Sequence, residues 1–555
     1  MKRCLLFTLN SKPTQFNLAL RCIEAAVQSM PLNVEFLEMS AHHSHATVLA
    51  ELFRCQPDYL AVSCYIWNIE RIVDLLSDFR KICPSVRVIM GGPEVSFEPE
   101  RYLQDNLCDF VISGEGERPF AELMKNIDHP ENWIGIAGLS YLKNGEVQTN
   151  QMADRQRNDI PPSPYRSLKE RFQNSFIYFE SSRGCAFTCH FCLSALDKPV
   201  RYFPLEEVFA DLQAILANEN IHQLRFVDRT FNLDAARAGR IWEFLKRNYP
   251  DRSFHFEIGA ELLSPENMEF LKTVKADQFR FEIGVQSFDD EVLHKNGRYV
   301  NMQKLEENID VLLAETAITV HLDLLVGLEG QTMSSFIDSF NRIFVKKPYY
   351  FQIETVKFLK GSLMRQKAEK MGAVVSDNAP YNLLFSRDWS YEDIRKTEDV
   401  ARLLDLYFNR RALRETVLYH LQEWESPWQY WSDFVDFFRR KHGKERSGIS
   451  LKNCYMTMHE WIMAAGIAVD VHVARLTLDY LREFQSAGHT PWEKISTTLS
   501  PKDFAENSKK LGLGKRGFIE ELPTAVQFQN TKARLFYFGG RGNPVCEVLE
   551  DLLTG

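Results

Sequence analysis

The sequence predicts an α/β protein with an open parallel sheet over residues 1–135, a hairpin and proline-rich linker over 136–170, a partial barrel of six strand–helix units over 171–360, and a mostly helical domain over 361–555. Three observations predict it. Apolar strand-like runs alternate with amphipathic stretches up to about residue 128. A second alternating block opens near residue 176 and carries six such runs. Beyond about residue 390 the alternation stops and long helical patterns dominate. Alternation of this kind means parallel strands with helices laid on their faces.

In the first block the apolar runs lie at 4–9, 34–37, 59–63, 86–90 and 110–112. Between them, residues 69–82 place Ile72, Leu75, Leu76, Phe79 and Ile82 near helical spacing. Ligands of open parallel sheets bind at the carboxyl ends of strands. Those ends carry Ser63-Cys64-Tyr65, Gly91-Gly92-Pro93-Glu94 and Gly114-Glu115-Gly116-Glu117. Residues 138–147 read as a hairpin turning at Asn144-Gly145, and Pro161-Pro162-Ser163-Pro164 stiffens the linker.

The strands of the second block are expected at 176–179, 224–227, 254–258, 279–283, 320–326 and 350–356. Helices are expected at 205–217, 236–246, 265–274, 302–314 and 334–344. Six units make a partial barrel rather than a closed eight-unit one. In the last block 391–420 reads as one long helical stretch. Ser426-Pro427 reads as a helix start, Arg439 to Gly443 as its end, and 535–538 as a strand.

At 555 residues the chain has room for about three or four domains. Lys and Arg number 66 and Asp and Glu 75, a net charge of −9, which argues against a general binder of nucleic acid. Basic clusters at 439–446 and 509–516 are the places where RNA could touch, and a helix C-terminus explains the first. No apolar run approaches the ~20 residues of a membrane helix. The apolar run after Met1-Lys2-Arg3 is too short for a signal peptide and lacks a cleavage site. A cytoplasmic protein is expected. Eleven cysteines in so long a chain do not make a disulfide scaffold. In a reducing compartment, clustered cysteines point instead to metal or catalysis.

The cluster is Cys185, Cys189 and Cys192, in the run Arg183-Gly184-Cys185-Ala186-Phe187-Thr188-Cys189-His190-Phe191-Cys192. It follows the first strand of the second block. A four-iron cluster normally takes four thiolates, so three leave one iron open to an outside ligand. The competing reading is zinc with His190 as fourth ligand. His190 adjoins Cys189 too closely for easy tetrahedral chelation, and no second CxxC is nearby.

CxxxCxxC, with Phe191 before the last cysteine and a strand before the loop, resembles the radical S-adenosylmethionine superfamily. The resemblance implies a TIM-type partial barrel, a [4Fe-4S] cluster on Cys185, Cys189 and Cys192, and S-adenosylmethionine on the open iron, cleaved to a 5′-deoxyadenosyl radical. An external one-electron reductant of flavodoxin or ferredoxin type would serve it. It also implies contacts at the other strand ends. Asp228, with Asn232 beside it, stands where the family commonly has Gly-Gly-Glu, and would hold the methionine ammonium. Glu257 and Glu261 after the third strand, and Gln286 and Ser287 after the fourth, would meet the ribose and methionine carboxylate. Gly327-Leu328-Glu329-Gly330 would pass the adenine.

The first block resembles the Rossmann-like cobalamin-binding domain attached to many of these enzymes. Ser63, Tyr65, Gly91, Gly92, Glu94, Gly114 and Gly116 would then approach the corrin, since strand-end glycines admit a large flat ligand. The Asp-x-His-x-x-Gly motif of some cobalamin proteins is absent. His42, His43 and His45 share one loop, but cobalt without a protein histidine is expected. A nucleotide-binding sheet would need GxGxxG or a Walker lysine, and a receiver-like domain would need metal-binding acids after the first strand. Both sets are missing.

The runs Lys357 to Arg365, Pro380-Tyr381 and Ser390 to Ile394 resemble a subgroup whose C-terminal domain has no assigned function. Lys357, Lys360 and Arg365 follow the sixth strand, where they would either meet an anionic substrate or lie solvated. Together these resemblances imply a cobalamin-dependent enzyme that methylates an unactivated carbon. The alternatives are a radical cyclase or rearrangement enzyme using cobalamin as redox partner, and a sensor without turnover. The substrate is unnamed by the sequence.

Overall fold

A computed structural model describes residues 2–12, 17–153, 160–166, 176–443, 448–467, 469–484 and 491–492, and strand segments at 517–521, 527–528, 531–532 and 534–538. The chain divides into two compact units, 1–336 with 355–394, and 337–354 with 395–555.

The first unit opens with β1 (Lys2–Asn10), α1 (Leu18–Val27), β2 (Leu32–Ser40), α2 (His45–Cys55), β3 (Tyr59–Ser63), α3 (Ile69–Ile82), β4 (Arg87–Gly91), α4 (Pro99–Gln104), β5 (Phe110–Ile112) and α5 (Glu117–Asn126). Strands β1 to β5 are parallel. Alternate residues of β1 feed two cores. Leu5, Phe7 and Leu9 pack with α2 and α3, while Cys4 and Leu6 pack with α1 and α5. On α3 the predicted apolar face is Ile72, Leu75, Leu76 and Phe79, each burial contributing roughly 1.5–3 kcal/mol. Ile82, at the helix end, is 45% exposed instead.

The hairpin is β6 (Leu139–Lys143) and β7 (Glu146–Thr149). Asn144 and Gly145 sit at φ 54° and 83°, the left-handed pair that a tight hairpin turn needs. Sequence reading placed this hairpin in the linker. It is the antiparallel edge of the first sheet, whose order is β2-β1-β3-β4-β5-β6-β7.

The barrel strands are β8 (Phe176–Phe179), then, past the two-residue strands β9 (Ser182–Arg183) and β10 (Arg201–Tyr202), β11 (Gln223–Phe226), β12 (Ser253–Ile258), β13 (Phe279–Gln286), β14 (Thr319–Val326) and β15 (Tyr350–Thr355). They form one six-stranded sheet, β15-β14-β13-β12-β11-β8. Its helices are α6 (Leu205–Leu216), α7 (Ala235–Asn248), α8 (Pro265–Leu271), α9 (Asp290–Lys295), α10 (Met302–Glu315) and α11 (Met333–Val345). One strand face is aromatic and fully buried. Phe226 stacks on Phe256 at 4.6 Å, and Trp242 of α7 covers Phe281 at 5.4 Å. The other face is polar: Arg225, His255, Glu257, Arg280, Glu282, His321 and Asp323 alternate with the buried residues. The barrel therefore has an apolar outside under helices and a charged inside.

The 391–420 stretch, which runs from the first unit into the second, is not one helix. It comprises α12 (Tyr391–Leu404), a π-helical turn (Asp405–Asn409) and α13 (Arg414–His420). Asn409 explains the break. Its side chain accepts from the Phe351 N–H at 3.0 Å and donates to the Phe351 carbonyl at 2.9 Å, holding the turn to β15. The helix α14 (Pro427–His442) starts as predicted, with Ser426 accepting from the Gln429 N–H and Pro427 in the first turn. It ends at Gly443 with φ 55°. The helices α15 (Leu451–Ala465) and α16 (Val469–Phe484) follow, and strands Gly517–Glu521 and Arg534–Phe538 pair antiparallel. The basic cluster at 509–516 lies outside the described residues, as do parts of the linker at 154–159 and 167–175. Among the described residues no helix is long and apolar enough to cross a membrane.

Candidate cofactor site

The cysteine loop is closed at its base. Ser182 and Arg183 pair antiparallel with Tyr202 and Arg201, so residues 184–200 form a lariat above β8. Gly184, at φ 95°, lies where a Cβ would come within 2.8 Å of the Asp197 carbonyl. The Cys185 N–H donates to that carbonyl at 3.0 Å, and the Cys192 N–H to the Cys189 carbonyl at 3.2 Å. Cys185 and Cys189 are buried and Cys192 is partly exposed. Burial pushes the Cys185 and Cys189 thiols up, each thiol is pushed further by Cys192, and Arg298 opposes the rise at Cys189.

Their spacing discriminates between the two metal readings. Around one zinc ion, Zn–S bonds of ~2.3 Å put sulfurs roughly 3.8 Å apart. Among the described residues, Glu282, His321 and Asp323 form the group whose ligand atoms all lie within 4.8 Å of one another, and the three cysteines do not. They are therefore not drawn together as around a single zinc ion, and thiolates are the donor type that holds an iron–sulfur cluster. His190 is held by several neighbours. Its N–H donates to the Asn296 carbonyl, its carbonyl accepts from the Met364 N–H, and its Nδ1 lies 3.0 Å from Lys367 Nζ. Lys367 also pairs with Glu329 at 3.0 Å. Phe191 is half-buried beside the last cysteine.

The rim residues fall into two groups. Asp228 and Asn232 face the chain itself. Asp228 is 1% exposed, and its oxygens accept from the Ser181 N–H at 3.0 Å and from the Ser181 and Ser182 hydroxyls at 2.6 Å. Burial raises its pKa and those hydrogen bonds oppose the rise. Asp228 therefore ties the foot of the cysteine lariat to β11. Asn232 is clasped to Gly259 in both directions, at 2.8 and 2.9 Å. Ser287 is fully buried, its hydroxyl accepting from the Asp289 N–H at 3.1 Å.

Glu257, Glu261 and Gln286 have polar atoms to offer. Burial pushes the Glu257 carboxyl up to about 7, with Arg229 opposing and Glu282, Asp323 and Asp228 adding to the rise. Both Glu261 oxygens are buried without a hydrogen-bond partner, as is Gln286 Oε1. Gln286 ends β13 at a bulge with φ 68°, a strained position of the kind that collects at ligand sites. Arg298 was not predicted. It brings a guanidinium to the Cys189 thiol, and the only sequence signal is its place after Asn296-Gly297, just past α9.

At the first sheet, Gly92 has φ 113°, and a Cβ there would lie 2.4 Å from the Cys64 carbonyl. Gly91 closes β4 beside Ser63 of β3. The Ser63 carbonyl accepts from Asn68 at 3.1 Å, and Tyr65 stacks on Trp67 at 4.4 Å. The Gly114 N–H donates to Ser96 at 3.2 Å, and Gly116 is the N-cap of α5. His43 is engaged with Ser40 in the loop after β2, and His45, the first residue of α2, with Asp78 of α3.

Two motifs distant in sequence meet here. Arg183 pairs with Glu117 at 2.9 Å, Glu115 at 3.2 Å and Glu180 at 2.8 Å. Arg201, 1% exposed, pairs with Glu115 and with Asp197 at 3.2 Å. Burial works against the charge on Arg183, and Glu117, Glu180 and Glu115 more than offset it. Glu94 is also engaged, accepting from the Tyr381 hydroxyl at 2.6 Å. Lys360 is buried against Glu98 at 2.8 Å and Tyr102 at 3.2 Å, which takes it away from any anionic substrate. Arg365 donates to the Phe358 carbonyl at 2.9 Å.

Comparison with known proteins agrees with this arrangement. Residues 6–124 match the B12 binding domain, 179–343 the Radical SAM superfamily, and 369–533 a protein family of unknown function, DUF4080. An uncharacterized methyltransferase, PH0819, of Pyrococcus horikoshii is 28% identical over 46% of this chain and 56% of its own length. The cobalamin-dependent radical SAM methyltransferase TokK of Streptomyces tokunonensis is 26% identical over 51% of this chain and 44% of its own. The chain thus spans about half the length of these relatives. Among solved structures, the cobalamin-dependent S-adenosylmethionine radical enzyme OxsB superposes with a TM-score of 0.62 at 15% identity, over 92% of this chain and 83% of that one. The methyltransferase TsrM of Kitasatospora setae gives 0.56 at 16% identity, over 68% and 78%. The chain thus carries, in order, a B12-binding domain over 6–124, a Radical SAM superfamily domain over 179–343 and a DUF4080 domain over 369–533.

Proposed function

We propose that the protein is a cobalamin-dependent methyltransferase acting on an unactivated carbon. The observation that carries this reading is the lariat that holds the three cysteines, tied through Arg183 to the glycine-bearing loop of the B12-binding domain. When bound, the cluster would supply the electron that splits S-adenosylmethionine to a 5′-deoxyadenosyl radical, and cobalamin would supply the methyl group. Cys185, Cys189 and Cys192 would hold three irons. Glu257, Glu261 and Gln286 would orient the ribose and methionine ends. The backbone at Ser63, Tyr65, Gly91, Gly92, Gly114 and Gly116 would admit the corrin. An external one-electron reductant of flavodoxin or ferredoxin type would complete the system.

The test is anaerobic reconstitution with iron, sulfide and hydroxocobalamin, followed by a reductant, a metabolite extract and methyl-labelled S-adenosylmethionine. The expected result is 5′-deoxyadenosine together with a product heavier by one labelled methyl. A second reading has support from the anaerobic magnesium-protoporphyrin IX monomethyl ester cyclase of Cereibacter sphaeroides, 20% identical over 54% of this chain. A cyclase would give deoxyadenosine with no methyl transferred. A sensor would give neither.

A further inference from the structure

We infer that Arg298 is a positioning and tuning residue of the cysteine loop, donating to the Cys189 sulfur so as to raise the reduction potential of the cluster bound there. The inference rests on the reading that the three cysteines hold such a cluster. Arg298 Nη1 lies 3.9 Å from Cys189 Sγ. The guanidinium is aimed by two other contacts. Nη2 donates to the Gly284 carbonyl at 2.6 Å, and the group lies 5.7 Å from the centre of the Phe187 ring.

The segment before Arg298 grips the same loop. The Asn296 carbonyl accepts from the His190 N–H at 2.9 Å, and the Gly297 carbonyl from the Thr188 hydroxyl at 2.8 Å. Gly297 has φ 71°, and a Cβ there would lie 2.5 Å from the Thr188 carbonyl and 2.7 Å from the His190 ring. Asn296-Gly297-Arg298 is therefore a clasp moulded on Thr188-Cys189-His190, with the cation fixed at its tip. Each loop residue on either side of Cys189 is held by a backbone or hydroxyl bond, so the backbone that carries the sulfur is fixed beside the guanidinium.

The electrostatic consequence has a definite sign. Reduction adds negative charge to a cluster already bound by thiolates. A fixed cation donating to one of those sulfurs, in a partly water-free setting, favours the reduced form. Neutralising Arg298 makes reduction harder by about tenfold in the equilibrium, a midpoint ~59 mV more negative for a one-electron couple.

The experiment is a redox titration of the reconstituted full chain without S-adenosylmethionine, followed by electron paramagnetic resonance of the reduced cluster. The variants are Arg298→Met, Arg298→Gln and Arg298→Lys, and iron is measured in each. The expected result is native iron content in all, a midpoint shifted negative in Arg298→Met and Arg298→Gln, and most of the shift recovered in Arg298→Lys. A native midpoint in the two neutral variants overturns the inference. Loss of the cluster from all three variants also overturns it, because Arg298 would then be part of the loop's framework. Native protein that binds no cluster defeats the underlying reading instead.

Discussion

Arg183 and Glu117 form a buried ion pair, Nη1 to Oε1 at 2.9 Å, across a sequence separation of 66 residues. Arg183 stands two residues ahead of the first motif cysteine, and Glu117 opens the helix after β5 of the B12-binding domain. With Glu115, Glu180 and Arg201 they make one charge network under both ends of the lariat. Removing Arg183 leaves Glu117 and Glu180 without their cation in a poorly solvated place, while Glu115 keeps Arg201. Arg183→Gln should cost about 3–5 kcal/mol of unfolding free energy, read by urea denaturation. Glu117→Gln should cost less, because Arg183 keeps Glu180 and Glu115. A loss under ~1 kcal/mol for Arg183→Gln would mean that the network is solvated like a surface pair.

Asp228 should act on the cluster before it acts on S-adenosylmethionine. Asp228→Ala leaves the Ser181 N–H and two serine hydroxyls without their acceptor, each hydrogen bond to a charged group contributing ~1.5–3 kcal/mol. Iron incorporated on reconstitution, measured before S-adenosylmethionine is added, should fall below native, with Asp228→Asn intermediate. Full iron with weakened S-adenosylmethionine binding would restore the ammonium-holding role read from the sequence.

Replacing Cys185, Cys189 and Cys192 together by Ala should remove all of the about four irons expected per chain and the broad charge-transfer absorption. Stoichiometric zinc in the native protein would rule out the cluster reading.

Glu257 gives a pH dependence. Its carboxyl rises from 4.5 in the unfolded reference to about 7 in the folded chain. The folded state thus holds this proton more tightly, so the group's contribution is fully present below pH 4.5 and is lost as pH rises to about 7. The stability of the native chain minus that of Glu257→Gln should fall by about 3 kcal/mol across that window, and be flat on either side. A pH-independent difference would place Glu257 in contact with solvent.

Tyr381→Phe should leave buried Glu94 without the hydroxyl that holds it. Burial already raises the Glu94 carboxyl and the Tyr381 hydrogen bond opposes that rise. The expected cost is about 1–3 kcal/mol at pH 7, shrinking toward acid pH where Glu94 takes up a proton. A loss that does not diminish on acidification would assign it to packing of the ring.

The strands were legible because each is a short apolar run whose alternate residues fill two different environments, as at Tyr59–Ser63 and Phe110–Ile112, where predicted and observed ends coincide. The break inside 391–420 was not. Helical periodicity continues through Asp405–Asn409, and only the bonds from Asn409 to Phe351 show why the helix turns. The hairpin was legible as a hairpin but not as a sheet edge, since Asn144-Gly145 specifies the turn and says nothing of the neighbour. At the site, local spacing revealed the three cysteines. Asp228 looked the same from sequence whether its oxygens met a ligand or two serines. Arg183 with Glu115 and Glu117, and Arg298 with Cys189, are meetings across long stretches of chain, and no local pattern announces them.

The contact of Gly92 with Cys64 has a mechanical consequence. With only 2.4 Å from a would-be Cβ to the Cys64 carbonyl, no side chain can wedge between the turns that follow β3 and β4. Those turns are further joined by the Cys64 N–H donating to the Gly91 carbonyl at 2.8 Å. They move as one plate. A flat molecule settling on either turn presses on both, and its load passes straight into the strands beneath rather than being taken up by two loops yielding independently.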